Sequence, residues 1–223
     1  LRPADNPLIA HVADVNHINL LTTEITESAE KFIAAFFPGP LTVVLRKSTK
    51  VPFLATAGLG TVGVRMPRTE LANRFLSACE TPVVAPSANL SGRPSSTTWQ
   101  AVAEDLNGRI DCILQGDATE LGLESTVVDC TSEIPRVLRS GSVSIEQLRE
   151  IVPETEMFDD DEAAAPKSPG LRHRHYSPRA KVVLIDFRSI ISNLKIDHVA
   201  NRTAHIGVSA QCRSFDAERI CKS

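Results

Sequence analysis

The chain reads as an α/β protein built on a twisted, mixed sheet with flanking helices. Three observations predict this. Short β-branched, apolar runs recur along the chain, as in Leu41 to Leu45 and Val62 to Met66. Between them lie segments whose apolar residues fall at helical spacing. Proline and glycine punctuate both kinds of segment, yet the order does not follow strict strand–helix–strand alternation.

Leu8 to Ala13 is continuously apolar apart from His11 and predicts a buried strand. Ile25, Ala29, Phe32, Ile33 and Phe36 share one helical face, and Phe37-Pro38-Gly39-Pro40 ends that helix. Two strands follow, Leu41 to Leu45 and Val62 to Met66, the second closed by Pro67. Thr69 caps a helix carrying Leu71, Phe75 and Leu76, and Val83 to Ala85 is a short strand. Thr97 or Thr98 opens a helix through Trp99, Val102 and Leu106, stopped by Gly108. Ile110 to Leu114, Thr126 to Asp129 and Arg136 to Leu138 are predicted strands. Ser144 and Gln147 have the spacing of a capping box for a helix reaching Val152.

The composition supports one sizeable aliphatic core. Of 223 residues, 42 % are hydrophobic but only 4 % are aromatic. The net charge of −3 provides no global basic field to attract nucleic acid, so any RNA contact needs a local patch. The five cysteines are scattered without CxxC spacing, which predicts reduced thiols in an intracellular protein rather than disulfides or a zinc site. Small buried hydrophobes are the default for Cys79, Cys112 and Cys130. No run is long or apolar enough to span a bilayer.

Residues 153–180 differ from what precedes them. An acidic run, Asp159-Asp160-Asp161-Glu162, gives way to the basic Arg172-His173-Arg174-His175, then Tyr176-Ser177-Pro178. The predicted layout is a main domain over 1–152, a linker over 153–180 and a partial α/β domain over 181–223. Strands are expected at Val182 to Phe187 and Thr203 to Val208.

Gly58-Leu59-Gly60-Thr61-Val62-Gly63 matches GxGxxG, but a strand ending in Pro67 follows where a dinucleotide fold needs a helix. The expectation is a turn into a strand. His173 and His175 have arginine neighbours that would repel a metal cation, so no metal site is predicted. The stretch Thr81 to Thr98 is more informative: a short strand runs into a loop dense in Ser, Thr and Asn, able to donate to many acceptor oxygens. Arg2, Asn6, His11, Arg65, Ser87, Asn89, Ser125 and Arg139 lie in or near strand ends. Arginines beside hydroxyl-rich loops suit a polyphosphate or a carboxylate, although any one alone reads as a surface ion pair.

Taken in order, seven segments resemble the YrdC-type family of threonylcarbamoyl-AMP synthases. They are RPADNPLIAHV (2–12), FFPGPLTVVL (36–45), TVGVRMP (61–67), PVVAPSANLSGRPSSTT (82–98), ESTVVD (124–129), VLRSGSVS (137–144) and HRHYSP (173–178). The last resembles the linker of the family's two-domain form, in which a smaller Rossmann-like domain follows. The resemblance implies synthesis of L-threonylcarbamoyladenylate and pyrophosphate from L-threonine, bicarbonate or CO2, and ATP, with Mg2+ on the phosphates. A downstream transferase complex would then modify tRNA, in the cytoplasm.

By the same resemblance, Arg2, Asn6, Thr61, Ser87, Ser95, Arg139 and Tyr176 contact ATP, while His11, Arg65, Ala85 and Ser125 hold L-threonine. Arg2, Arg65 and Ser125 would carry the positioning. The family's first strand, its PTET-like turn and a lysine two positions before Arg2 have no counterpart from Leu1 onward. The expectation is a chain truncated at both ends and impaired in synthesis. The alternatives are an RNA-binding module without synthetic activity and a carbamoyl-transfer domain of a larger maturation enzyme.

Overall fold

A computed structural model describes residues 6–158 of the chain. Among the described residues, seven strands form one mixed sheet: β1 (Ile9–His11), β2 (Leu41–Arg46), β3 (Thr61–Arg65), β4 (Val83–Ala85), β5 (Thr126–Asp129), β6 (Arg136–Arg139) and β7 (Glu156–Met157). Their order across the sheet is β4-β1-β3-β2-β5-β6-β7. β1 runs parallel to β3, β2 to β5 and β6 to β7, whereas the β1–β4, β2–β3 and β5–β6 pairs are antiparallel.

Side-chain alternation divides this sheet into a face packed by helices and an opposite face that carries the polar residues beside a small buried cluster of Val44, Val127 and Leu138. Ala10, Val43, Leu45, Val62, Val64 and Val128 are buried in one cluster with residues from three helices. Those helices are α1 (Ile18–Leu21), α2 (Glu27–Phe36) and α5 (Ile145–Ile151). They supply Ile18, Leu21, Ala29, Phe32 and Leu148. Each fully buried aliphatic side chain adds about 1.5–3 kcal/mol to folding. The residues in between, Thr42, Gly63, Arg65, Ile9, His11, Ala85 and Arg139, turn to the opposite face by register.

Capping explains where the helices begin. The Thr26 hydroxyl accepts from the Ala29 amide and donates to the Cys130 carbonyl, tying α2 to the end of β5. Ser144 and Gln147 form the expected capping box. At α4 (Trp99–Leu106) the Thr98 side chain accepts from the Ala101 amide. Thr69 occupies the N-cap position of α3 (Glu70–Cys79) but makes no side-chain hydrogen bond.

Several expectations need correction. Ile110 to Leu114 is not a strand. Its alternating Ile110, Cys112 and Leu114 lack a pairing partner, and Ile110 and Leu114 are about half exposed. Cys112 is exposed and Cys79 half-buried, so only Cys130 is the buried hydrophobe expected of all three. Of the apolar residues on α3, Leu76 is buried but Leu71 and Phe75 are exposed. The short helical stretch from Val15 to Leu21 was not expected, and β7 lies inside the stretch expected to be linker: its pairing with β6 carries the sheet past residue 152. Residues 159–180 of the expected 153–180 linker, the 181–223 domain and its two predicted strands lie outside the described residues, as do Arg2 and Tyr176.

Candidate functional site

The polar face opens into a cavity of about 220 Å³. Seven of the eleven residues singled out from the sequence line it: His11, Arg65, Ala85, Ser87, Ser95, Ser125 and Arg139. They come from β1, β3, β4, the loop after β4, the residue before β5, and β6. Asn6 and Thr61 do not line this cavity. Asn6 precedes β1, and Thr61 sits on the Arg65 face at the other end of β3, about 13 Å away along the strand.

Gly63 lies on the Arg65 face of β3, two residues before Arg65. A Cβ there would meet Thr42 Cγ2 at 3.2 Å and Ile9 Cγ1 at 3.7 Å. The GxGxxG match therefore ends inside a strand, where its last glycine admits close neighbours rather than a pyrophosphate.

Arg65 is held from below by the Phe37-Pro38-Gly39-Pro40 turn: its Nε donates to the Gly39 carbonyl at 3.1 Å, and the Gly39 amide donates to the Met66 carbonyl at 2.8 Å. Burial, and then the charge of Arg139, lower the pKa of the Arg65 guanidinium. No carboxylate among the described residues forms an ion pair with Arg65. Next to it, burial and then Arg65 lower the pKa of His11 to about 4, against the opposing pull of backbone groups of Ile9 and Val83. His11 is therefore neutral near pH 7, and its Nδ1 is buried without a hydrogen-bond partner. A neutral imidazole beside a half-buried cation favours an anionic or zwitterionic occupant.

Arg139 grips the other side. Its Nε and Nη2 donate to the Ser125 carbonyl at 3.2 and 2.8 Å, and Nη2 also reaches Ser125 Oγ at 3.1 Å. Ser125 Oγ shares a hydrogen bond of 2.9 Å with Thr42 Oγ1. Glu124 completes this wall. It pairs with Arg139 Nη1 at 2.7 Å and accepts from Ser95 Oγ at 2.6 Å. Sequence reasoning quoted Glu124 within a motif without giving it a role; a carboxylate directly before Ser125 was the available signal.

The loop after β4 is ordered by its own polar groups. Asn89 Nδ2 donates to the Leu90 and Arg93 carbonyls, both at 2.9 Å. Asp105 on α4 accepts from the Leu90 amide at 2.9 Å and pairs with Arg93. This framework presents Ser87, Ser95, Ser96 and Thr97 to the cavity. Among the described residues no cluster of three or more His, Cys, Asp or Glu forms a metal cage.

A family model described as "Telomere recombination", for Sua5, YciO and YrdC proteins, matches residues 1–141. The chain belongs to this family. A second model, "Threonylcarbamoyl-AMP synthase, C-terminal domain", matches residues 143–222. The chain is 44 % identical over 188 residues to the threonylcarbamoyl-AMP synthase of Pyrococcus abyssi, covering 83 % of this chain and 55 % of the relative. It is 40 % identical over 188 residues to that of Bacillus subtilis, covering 83 % and 54 %. The chain thus spans about half the length of these curated relatives. Among solved structures, P. abyssi Sua5 complexed with L-threonine aligns with a TM-score of 0.77 and 45 % identity, over 81 % of this chain and 54 % of that one. E. coli YciO aligns with a TM-score of 0.59 over 66 % of this chain and 71 % of that one; at 22 % identity it supports the fold alone.

Proposed function

We propose that this chain carries the substrate site of an enzyme that makes L-threonylcarbamoyladenylate from L-threonine, bicarbonate or CO2, and ATP. The observation that carries the reading is the pair of half-buried guanidiniums in one cavity, Arg65 with no carboxylate paired to it among the described residues and Arg139 across from it. Guanidinium binds carboxylate and phosphate in bidentate fashion, so the pair suits a substrate carboxylate on one side and a phosphate chain on the other. The identity to proteins named threonylcarbamoyl-AMP synthase supports the same assignment.

In this reading Arg65 pairs with the threonine carboxylate. Neutral His11, Ser125 and the backbone at Ala85 orient the rest of the amino acid. Arg139, Ser87 and Ser95 receive the nucleotide, together with Asn6 and Thr61 further along the sheet and with Arg2 and Tyr176. The threonine amine adds to CO2 to give a carbamate. A carbamate oxygen then attacks the α-phosphorus, and pyrophosphate leaves with its electron pair. Positioning and charge neutralisation supply the catalysis. Mg2+ would enter on the triphosphate, because Glu124, the carboxylate lining the cavity, is engaged by Ser95 and Arg139.

We further propose a main domain that extends through β7 to residue 158, a linker over 159–180 and a second domain over 181–223, with the product passed in the cytoplasm to a tRNA-modifying transferase. The net charge of −3 disfavours the alternative of an RNA-binding module. The test is pyrophosphate release from ATP and bicarbonate with and without L-threonine. It is run on this chain and on this chain preceded by the family's first strand and lysine-bearing segment. Release that requires L-threonine supports the reading; release indifferent to it in both proteins overturns it.

A further inference from the structure

The cavity holds two guanidiniums that repel each other, and the charge of Arg139 helps lower the pKa of Arg65. Two such cations stay together in a partly buried space only if something offsets them. Glu124 does so for Arg139. Its two oxygens point in different directions: Oε2 to Arg139 Nη1 at 2.7 Å and Oε1 to Ser95 Oγ at 2.6 Å. Both side chains of the ion pair are more than four-fifths buried, at 17 % exposure for Glu124 and 19 % for Arg139. The contact is therefore shielded from water, unlike an exposed surface pair.

From Arg139 the connection continues through Ser125 to Thr42, which is fully buried in β2. One carboxylate thus ties the loop after β4 to β6 and, through Arg139, fixes the hydroxyl of Ser125. Gly141 packs a turn against the same backbone, where a Cβ would meet the Glu124 carbonyl at 2.4 Å, so the backbone at Glu124 has little freedom to shift.

We infer that Glu124 is a positioning residue for this site: by holding Ser95 and Arg139 together it keeps Arg139 on Ser125, and so joins the nucleotide wall to the amino-acid wall. The part concerning substrates rests on the proposed function; the part concerning Arg139 does not. A carboxylate in this place could instead act as a stand-in anion that phosphate must displace. The two roles differ in sign. A positioning residue, when neutralised, loosens both ligands. A competing anion, when neutralised, tightens the nucleotide.

The experiment compares wild type with Glu124→Gln, which keeps size and removes charge, and with Glu124→Asp, which keeps charge and shortens reach. The first measurement needs no ligand: hydrogen exchange of the Arg139 Nε–H in 15N spectra. Slow exchange in wild type, fast exchange in E124Q and intermediate exchange in E124D support the inference; the same rate in all three overturns it. The second is calorimetric titration with ATP and with L-threonine. E124Q is expected to weaken both by about 10- to 100-fold, the size of one lost charge-assisted hydrogen bond, with part of the loss restored in E124D. Tighter ATP binding in E124Q overturns the inference. If wild type binds neither ligand, the proposed function fails and the exchange rates alone decide the role of Glu124.

Discussion

Gly141→Ala should destabilise the protein through a single methyl group. Gly141 follows β6 and lies flat against the backbone that carries Glu124 and Ser125. A Cβ at this position would stand 2.4 Å from the Glu124 carbonyl oxygen, 2.5 Å from the Thr126 nitrogen and 2.6 Å from the Ser125 carbonyl carbon. Ordinary contact begins near 3.4 Å, so the two segments would have to part by 3.4 − 2.4, or about 1 Å. Neither can yield easily. The Thr126 amide donates to Pro40 at 3.0 Å, and its hydroxyl both donates to the Val143 carbonyl at 2.6 Å and accepts from the Val143 amide at 3.0 Å. Because the overlap is with backbone rather than a flexible side chain, the cost belongs in the upper part of the overpacking range, about 2–3 kcal/mol. For a unit of this size that is a fall in Tm of about 4–12 °C. The assay is thermal unfolding followed by circular dichroism, with Gly60→Ala as the control, since nothing lies within 4 Å of a Cβ there. A G141A protein that melts with wild type would refute the close packing on which the geometry of Ser125 depends.

Arg65→Ala should raise the KM for L-threonine by about 10- to 100-fold, the worth of a charged hydrogen-bonded pair, while ATP affinity changes far less; equal losses for both substrates would contradict the role given to Arg65. The His11 pKa falls from 6.5 to about 4 on folding. The unfolded chain therefore takes up this proton first as the pH drops. Stability from His11 is complete above about pH 6.5 and is lost toward pH 4. Between pH 7.5 and 4.5, wild type should lose about 2–3 kcal/mol more unfolding free energy than His11→Asn, and identical losses would show that His11 is not held neutral by the fold. For the thiols, burial first and then Asp129 push Cys130 up to about 12, whereas Cys112 is exposed. A maleimide at pH 7.5 should label Cys112 within minutes and reach Cys130 only after unfolding, as peptide mapping would report; early labelling of Cys130 would contradict its placement.

The sheet was legible where local signals agreed. Leu41 to Leu45 and Val62 to Met66 are rich in β-branched apolar residues, the first preceded by Pro40 and the second closed by Pro67, and both are central strands. Ser144 with Gln147 gave the start of α5 because a capping box is encoded within four residues. Ile110 to Leu114 misled because alternation describes a strand only if a neighbour supplies the ladder, and none does. The site was legible in part for the same reason. His11, Arg65 and Arg139 are polar residues interrupting apolar strands, which marks them locally. Glu124 and Thr42 acquire their meaning only through partners distant in sequence: Thr42 meets Ser125 across 83 positions and Glu124 meets Ser95 across 29. No spacing rule spans such gaps.

The central claim is that Arg65, the half-buried cation with no carboxylate paired to it among the described residues, receives the carboxylate of L-threonine. Calorimetric titration of this chain with L-threonine and with L-threoninol, identical except that a CH2OH group replaces the carboxylate, tests it most directly. The account predicts binding of L-threonine, at least tenfold weaker binding of L-threoninol, and no such difference in Arg65→Ala. Equal affinity of the wild-type protein for the two compounds would contradict it.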